Sequence, residues 1–147
     1  AMSAGDLYLQ EQNGVSVLSA TASGNLGLTS LTGNLVLHTV QAPGLVTLVA
    51  STGAILAGTA GPNVTASDLE LSAASGVGTA STPLTILAKR LEAFGGSGGI
   101  YLNTPGSVQI GGIDPSRLGL TGLAAVASDI GSSNLACRMV CAVMSFR

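Results

Sequence analysis

The stretch GDLYLQEQNGVSVLSATASGNLGLTSLTGNLVLHTV, residues 5–40, decides the fold. With the two glycines that follow it, Gly5, Gly14, Gly24, Gly33, Gly44 and Gly53 are separated by 9, 10, 9, 11 and 9 residues. Taken two at a time, Gly5 to Gly24 and Gly14 to Gly33 are 19 apart, and Gly24 to Gly44 and Gly33 to Gly53 are 20 apart. Short alternating runs follow the glycines. Leu7 and Leu9 flank Tyr8, Val15 and Val17 flank Ser16, Leu26 and Leu28 flank Gly27, and Leu35 and Leu37 flank Val36. A period of two is the signature of a strand with one buried face, and Gly, Asn, Ser and Thr between the runs supply turns. Even spacing alone would suit a sandwich or a barrel. A repeated 19–20 period favours a solenoid, because each coil must match the coil it stacks on.

Strands at matched positions would then pair in parallel, about 4.8 Å apart, with inward Leu, Val and Ile in columns of like residues. Residues 5–113 predict roughly five coils, a rod of about 25 Å. The same pattern returns further on. Asp68-Leu69-Glu70-Leu71 echoes Asp6-Leu7-Tyr8-Leu9, and each leads to a Gly-Val pair, Gly14-Val15 and Gly76-Val77. Ile100-Tyr101-Leu102 and Val108-Gln109-Ile110 continue it. Residues 57–67 and 72–83, with Pro62 and Pro83, break the spacing and are expected to be wider coils or loops leaving the rod.

Composition agrees. Of 147 residues, 46% are hydrophobic and only 8% charged, with 21 glycines, two Tyr, two Phe and no Trp. A disordered chain would be charged and poor in apolar residues; small aliphatics suit thin, evenly packed layers. A net charge of −2 with five scattered basic residues lacks the footprint of a nucleic-acid binder. No apolar run approaches the roughly 20 residues of a membrane-spanning helix. Ala1 ahead of Met2 reads as a cloning scar, so the absence of a leader pattern carries no information on location.

Leu69-Glu70-Leu71-Ser72-Ala73-Ala74-Ser75-Gly76-Val77-Gly78, Thr82-Pro83-Leu84, Gly99-Ile100-Tyr101-Leu102 and Gly106-Ser107-Val108-Gln109-Ile110-Gly111-Gly112 resemble the repeat region of filamentous-haemagglutinin-like exoproteins, large bacterial adhesins of the two-partner secretion route. The resemblance covers residues 5–113. It implies a right-handed parallel β-helix with three faces, an extracellular or cell-surface location, and roles in adhesion, aggregation or filament formation. It brings no catalytic residues, and the family's secretion-domain motifs are not apparent here.

Residues 3–114 are thus expected to form the β-helix, and residues 115–147 a different element. The first 114 residues carry Lys89 and Arg90 against six acids, whereas the tail carries Arg117, Arg138 and Arg147 against Asp129. The tail also holds both cysteines. The sequence leaves open whether it caps the last coil, whose edge would otherwise template aggregation, or is non-native. Cys137 and Cys141, four apart, match neither a zinc nor a redox motif and are expected to be free thiols.

Single residues of chemical interest are few. Asp68 and Glu70 share a strand face; the pair could serve glycoside hydrolysis or hold calcium, but two solvated acids on the rod exterior are the expectation. His38, the one histidine, lacks an acidic or thiol neighbour in sequence and is expected at the surface. Lys89-Arg90-Leu91-Glu92 is expected to be an exposed strand or loop edge with a local ion pair. Asn63-Val64-Thr65 matches a glycosylation sequon, and Gly95 to Gly99 reads as a flexible turn. No residue is assigned a catalytic, cofactor-binding or metal-binding role, and no cofactor is expected. The function expected is a structural or adhesive segment of an exoprotein that associates end to end and contacts a cell-surface or glycan receptor, with no nucleic acid bound and no membrane span. The alternatives are a carbohydrate-active β-helix enzyme built on Asp68, Glu70, Lys89 and Arg90, and an ice-binding solenoid, for which Thr21, Thr29, Thr32, Thr39, Thr47 and Thr52 lack register with the period.

Overall fold

A computed structural model describes residues 1–113, together with the backbone of two short strands at Ile130–Gly131 and Cys137–Met139. The expectations for residues 115–147, including the side chains of Cys137 and Cys141, lie outside the described residues. The first coil holds β1 (Met2–Ser3), β2 (Leu7–Glu11) and β3 (Val15–Val17). The second holds β4 (Ala20–Ala22), β5 (Leu26–Ser30) and β6 (Leu35–Leu37), and the third β7 (Val40–Gln41), β8 (Leu45–Ala50) and β9 (Ile55–Ala57). The fourth has β10 (Val64–Thr65) and β11 (Asp68–Ala73), and the fifth β12 (Leu84–Leu87), β13 (Arg90–Phe94) and the start of β14 (Ile100–Asn103), whose Leu102 and Asn103 already lie one turn on, beside Leu84 and Thr85. β15 (Gln109–Ile110) follows on that turn, beside β13.

Every recorded ladder is parallel, and like strands of successive coils are neighbours. One face runs β1-β4-β7-β10-β12-β14, a second β2-β5-β8-β11-β13-β15, and a third β3-β6-β9, which single bridges carry on through Val77 to Ile100. The chain is a parallel β-solenoid. Register gives the period directly. Leu7 faces Leu26, 19 residues on, and Leu26 faces Val46, 20 on. Val46 faces Leu69 and Leu69 faces Leu91, steps of 23 and 22, before Arg90 faces Gln109 at 19. The wider steps are the two irregular stretches expected from sequence. Those expectations were drawn too broadly: Val64–Thr65, Ser72 and Ala73 stay in the ladders, and only the segments around Gly58 to Pro62 and Gly78 to Pro83 leave them.

Inward residues stack by type. Leu7, Leu26, Val46, Leu69, Leu91 and Ile110 form one column. Leu9, Leu28, Leu48, Leu71 and Ala93 form a second, and Val15, Leu35, Ile55, Val77 and Ile100 a third. One continuous apolar core results, stabilised at about 25 cal/mol per Å² of apolar surface removed from water. Its first layer is open: Leu9 is 47% exposed, against 3% for Leu28 and 0% for Leu48.

Corners are closed by side chains that replace ladder bonds. Asp6 Oδ1 accepts the Asn25 N–H at 2.7 Å, and Asn25 Oδ1 accepts the Leu45 N–H at 2.9 Å. Asn34 Oδ1 accepts the Ala54 N–H at 2.9 Å. Asn63 is fully buried; its Nδ2 donates to the Leu37 and Thr59 carbonyls, both at 3.1 Å, and its Oδ1 accepts the Thr85 N–H at 3.0 Å. The sequon asparagine is therefore inaccessible in the folded chain. At another corner Gly33 adopts φ +88°, and a Cβ on Gly53 would run into the Gly33 carbonyl oxygen. The Gly95–Gly99 segment, expected to be flexible, is a tight 3₁₀ turn at Gly96–Gly98 whose backbone packs against Ala74 and Ser75.

Asn63→Ala should take the acceptor from the buried Thr85 N–H and a donor from the Leu37 and Thr59 carbonyls, of which Leu37 keeps the Gly58 N–H and Thr59 is exposed. It should so lower unfolding stability by about 1–3 kcal/mol. The exposed Asn13→Ala should stay within about 0.5 kcal/mol of the parent chain in the same denaturant titration.

Candidate functional site

Residues 1–113 hold seven charged side chains, and five of them, Asp68, Glu70, Lys89, Arg90 and Glu92, fall on β11, β13 and the residue leading into β13. The strand alternation explains their direction. Leu69, Leu71, Leu91 and Ala93 face the core, so Asp68, Glu70, Arg90 and Glu92 face outward. Register then pairs them across coils: Arg90 lies beside Asp68, and Glu92 beside Glu70.

Arg90 grips Asp68 with both arms of its fork, Nε to Oδ1 at 2.6 Å and Nη2 to Oδ2 at 2.8 Å, while Nη1 donates to the Gly112 carbonyl at 2.8 Å. The bidentate geometry fits guanidinium and carboxylate planes, and the bond to Asp68 raises the Arg90 pKa above its ordinary value. The ion pair expected to be local to residues 89–92 instead bridges two coils. Asp68 and Glu70, expected to be solvated, are 2% and 4% exposed. The reason is their place in the sheet: Leu45 and Thr47 flank them on one side, Arg90 and Glu92 on the other.

Glu70 is the strained member. Its Oε2 is buried without a hydrogen-bond partner. Burial, and then the adjacent Glu92 carboxylate, push its pKa to about 7. Glu92 has an anchor of its own, since its Oε1 accepts the Ile113 N–H at 3.1 Å.

Beside this cluster a cleft of about 570 Å³ crosses several coils. Pro43 and Gly44 form one wall, Ser67 and Asp68 the next, then Lys89 and Arg90, with Gln109 at the far end. The sequence flagged Asp68, Lys89 and Arg90 but missed Ser67, Gln109 and the Pro43-Gly44 wall. It also treated the acids and the basic pair as separate features. A signal was present: Leu69-Glu70 recurs as Leu91-Glu92, 22 residues on, which is the register step here rather than 19 or 20.

Other flagged residues stand apart. His38 is half-buried on another face, its Nε2 3.3 Å from the Ser16 hydroxyl and its ring beneath Gly58. Among the described residues no three His, Cys, Asp or Glu converge as a metal site, and no helix is long and apolar enough to cross a membrane. The strand ladders set Thr29 opposite Gln10 and Val49, and Thr47 opposite Gly27 and Glu70, so no row of threonines forms there. A second cleft, about 450 Å³, lies between the two segments that leave the rod and is lined by neutral residues such as Thr59, Thr82 and Asn103. No family model, curated protein or solved structure matches this chain. What the fold and cluster define is a class, a parallel β-solenoid with a charged cleft on an outer face.

Two measurements probe this arrangement. Because folding raises the Glu70 pKa from 4.5 to about 7, the native state takes up a proton between those values. Its share of stability is intact below about pH 4.5 and declines as pH rises through 7. Glu70→Gln should therefore leave stability at pH 4.5 nearly unchanged and raise it at pH 8, by about 1–3 kcal/mol. Separately, Arg90→Ala leaves a buried carboxylate without its countercharge, so its denaturant midpoint should fall further than that of the double variant Asp68→Leu/Arg90→Leu.

Proposed function

We propose that the chain is a structural, adhesive segment of an extracellular or surface-displayed exoprotein, of the filamentous-haemagglutinin-like kind its repeats resemble. The observation that carries this reading is the uninterrupted stack of five coils on one core, with like residues in register from Leu7 to Ile110. Such a body is quasi-one-dimensional: each coil contacts only its neighbours, so the same unit extends a rod to any length. End-on association is part of this reading, because coils from two chains would pair through the same ladders that join coils within one. Binding rather than catalysis suits the cleft. The one carboxylate among its described lining residues, Asp68, has both oxygens engaged by Arg90.

Electron microscopy with mass determination over a range of concentrations tests this reading. Rods or filaments one solenoid wide should form and lengthen with concentration, and Leu9→Lys, which places a charge on the open layer, should shorten them. A concentration-independent monomer in both chains would refute end-on association. Cleavage of polyuronates by the purified chain, abolished by Lys89→Gln, would replace the structural reading with the enzymatic one.

A further inference from the structure

We infer that the cleft between Gly44 and Gln109 binds the carboxylated unit of an acidic saccharide. This goes beyond the structural reading, which requires no ligand at this place. Lys89 and Arg90 are the only Lys or Arg residues in 1–113, and both line this cleft. Among the described residues, that is where an anion finds positively charged side chains.

The two cations differ in preparation. Arg90 is held in place by Asp68 and the Gly112 carbonyl, which engage three of its N–H groups. A guanidinium has five, so two remain to meet a ligand without further ordering. Lys89 is exposed, and its ammonium has no hydrogen-bond partner among the described residues, so it is available as a point charge. Asp68 is already engaged by Arg90, so Lys89 is the described lining cation whose charge is left to meet a ligand, and one point charge suits a monoanionic carboxylate better than a phosphate dianion.

The remaining wall argues for a sugar as its bearer. The Ser67 hydroxyl and the Gln109 amide offer both donors and acceptors for ring hydroxyls. Pro43 supplies an apolar surface for the C–H face of a pyranose. The lining comes from four successive turns of the solenoid, so the cleft runs along the rod axis over about 14 Å at the strand spacing. An extended oligosaccharide fits that shape, and a volume of about 570 Å³ lies within the range of small-ligand sites.

The deciding experiment is calorimetric titration of the full chain with trigalacturonate, its methyl ester and sialyllactose. Trigalacturonate should bind, its uncharged methyl ester about tenfold more weakly or worse, and added salt should weaken the interaction. Lys89→Gln should lower affinity about tenfold with unchanged circular dichroism and thermal stability, and Lys89→Arg should retain most of it. Binding of sialyllactose in place of trigalacturonate, with the same Lys89 dependence, would support the site and assign the carboxylated sugar to a sialylated glycan instead of a uronate polymer. Equal binding of acid and ester, indifference to Lys89→Gln, or no saturable binding of any of the three at about 10 mM would overturn it. None of these results alters the rod assembly, so this inference and the structural reading fail separately.

Discussion

Stacking at one strand spacing per coil is the constraint from which the rest follows. Each coil lies about 4.8 Å from the next all the way round, corners included. Straight segments meet that spacing with ordinary ladder bonds. Corners do so only in part: some backbone bonds continue from coil to coil, as from the Gly24 N–H to the Gly5 carbonyl and from the Gly44 N–H to the Gly24 carbonyl, and where the chain turns others lose their partner. Here Asp6, Asn25, Asn34 and Asn63 supply the missing acceptors, and Gly33 and Gly53 let backbone approach backbone where a Cβ would collide. The core is then a consequence: once corners superpose, inward side chains stack like upon like, and aliphatics of similar width fill each layer without voids.

That constraint also explains which parts were legible in the sequence. The glycine period revealed β2, β3, β5 and β6, because their alternation is carried by Leu and Val. The face built from β1, β4, β7 and β10 was invisible to the same argument. Its strands are two or three residues long and use Ala20, Ala22, Val40 and Val64, too few and too small to show a period of two. Three faces were expected only from the family resemblance. In the same way, Val77 reaches its column by single bridges to Ile55 and Ile100, with no run of alternation to announce it.

The charged cluster was half legible for a related reason. Each member stood out in a chain so poor in charge, yet their meeting depends on register, and register depends on how many residues each excursion absorbs. A step of 20 residues from Asp68 would have set Ala88 beside it; the observed step of 22 sets Arg90 there. Two residues in the Gly78–Pro83 excursion thus decide whether a buried carboxylate meets an aliphatic neighbour or its countercharge. Burial of Asp68 and Glu70 was missed because alternation gives direction but not cover. An outward residue in the middle of a sheet has neighbours on both sides, whereas the same residue on an edge strand, such as Tyr8, stays in solvent.

Glu70 bears on what this face is for. An apolar group of the same shape at its position would avoid desolvating a carboxyl, so the stack gains nothing in stability from Glu70 beside Glu92. Like charges directly opposite each other in a ladder oppose pairing. A purely mechanical rod would have no use for such a pair. It makes sense if the outer face of β11 and β13 also binds, with Asp68 ordering Arg90 and the neighbouring acids confining the positive potential to the cleft edge where Lys89 stands. The stack then supplies a rigid ruler, and the interrupted period between the third and fifth coils supplies, among the described residues, a place where the surface differs from its repeats.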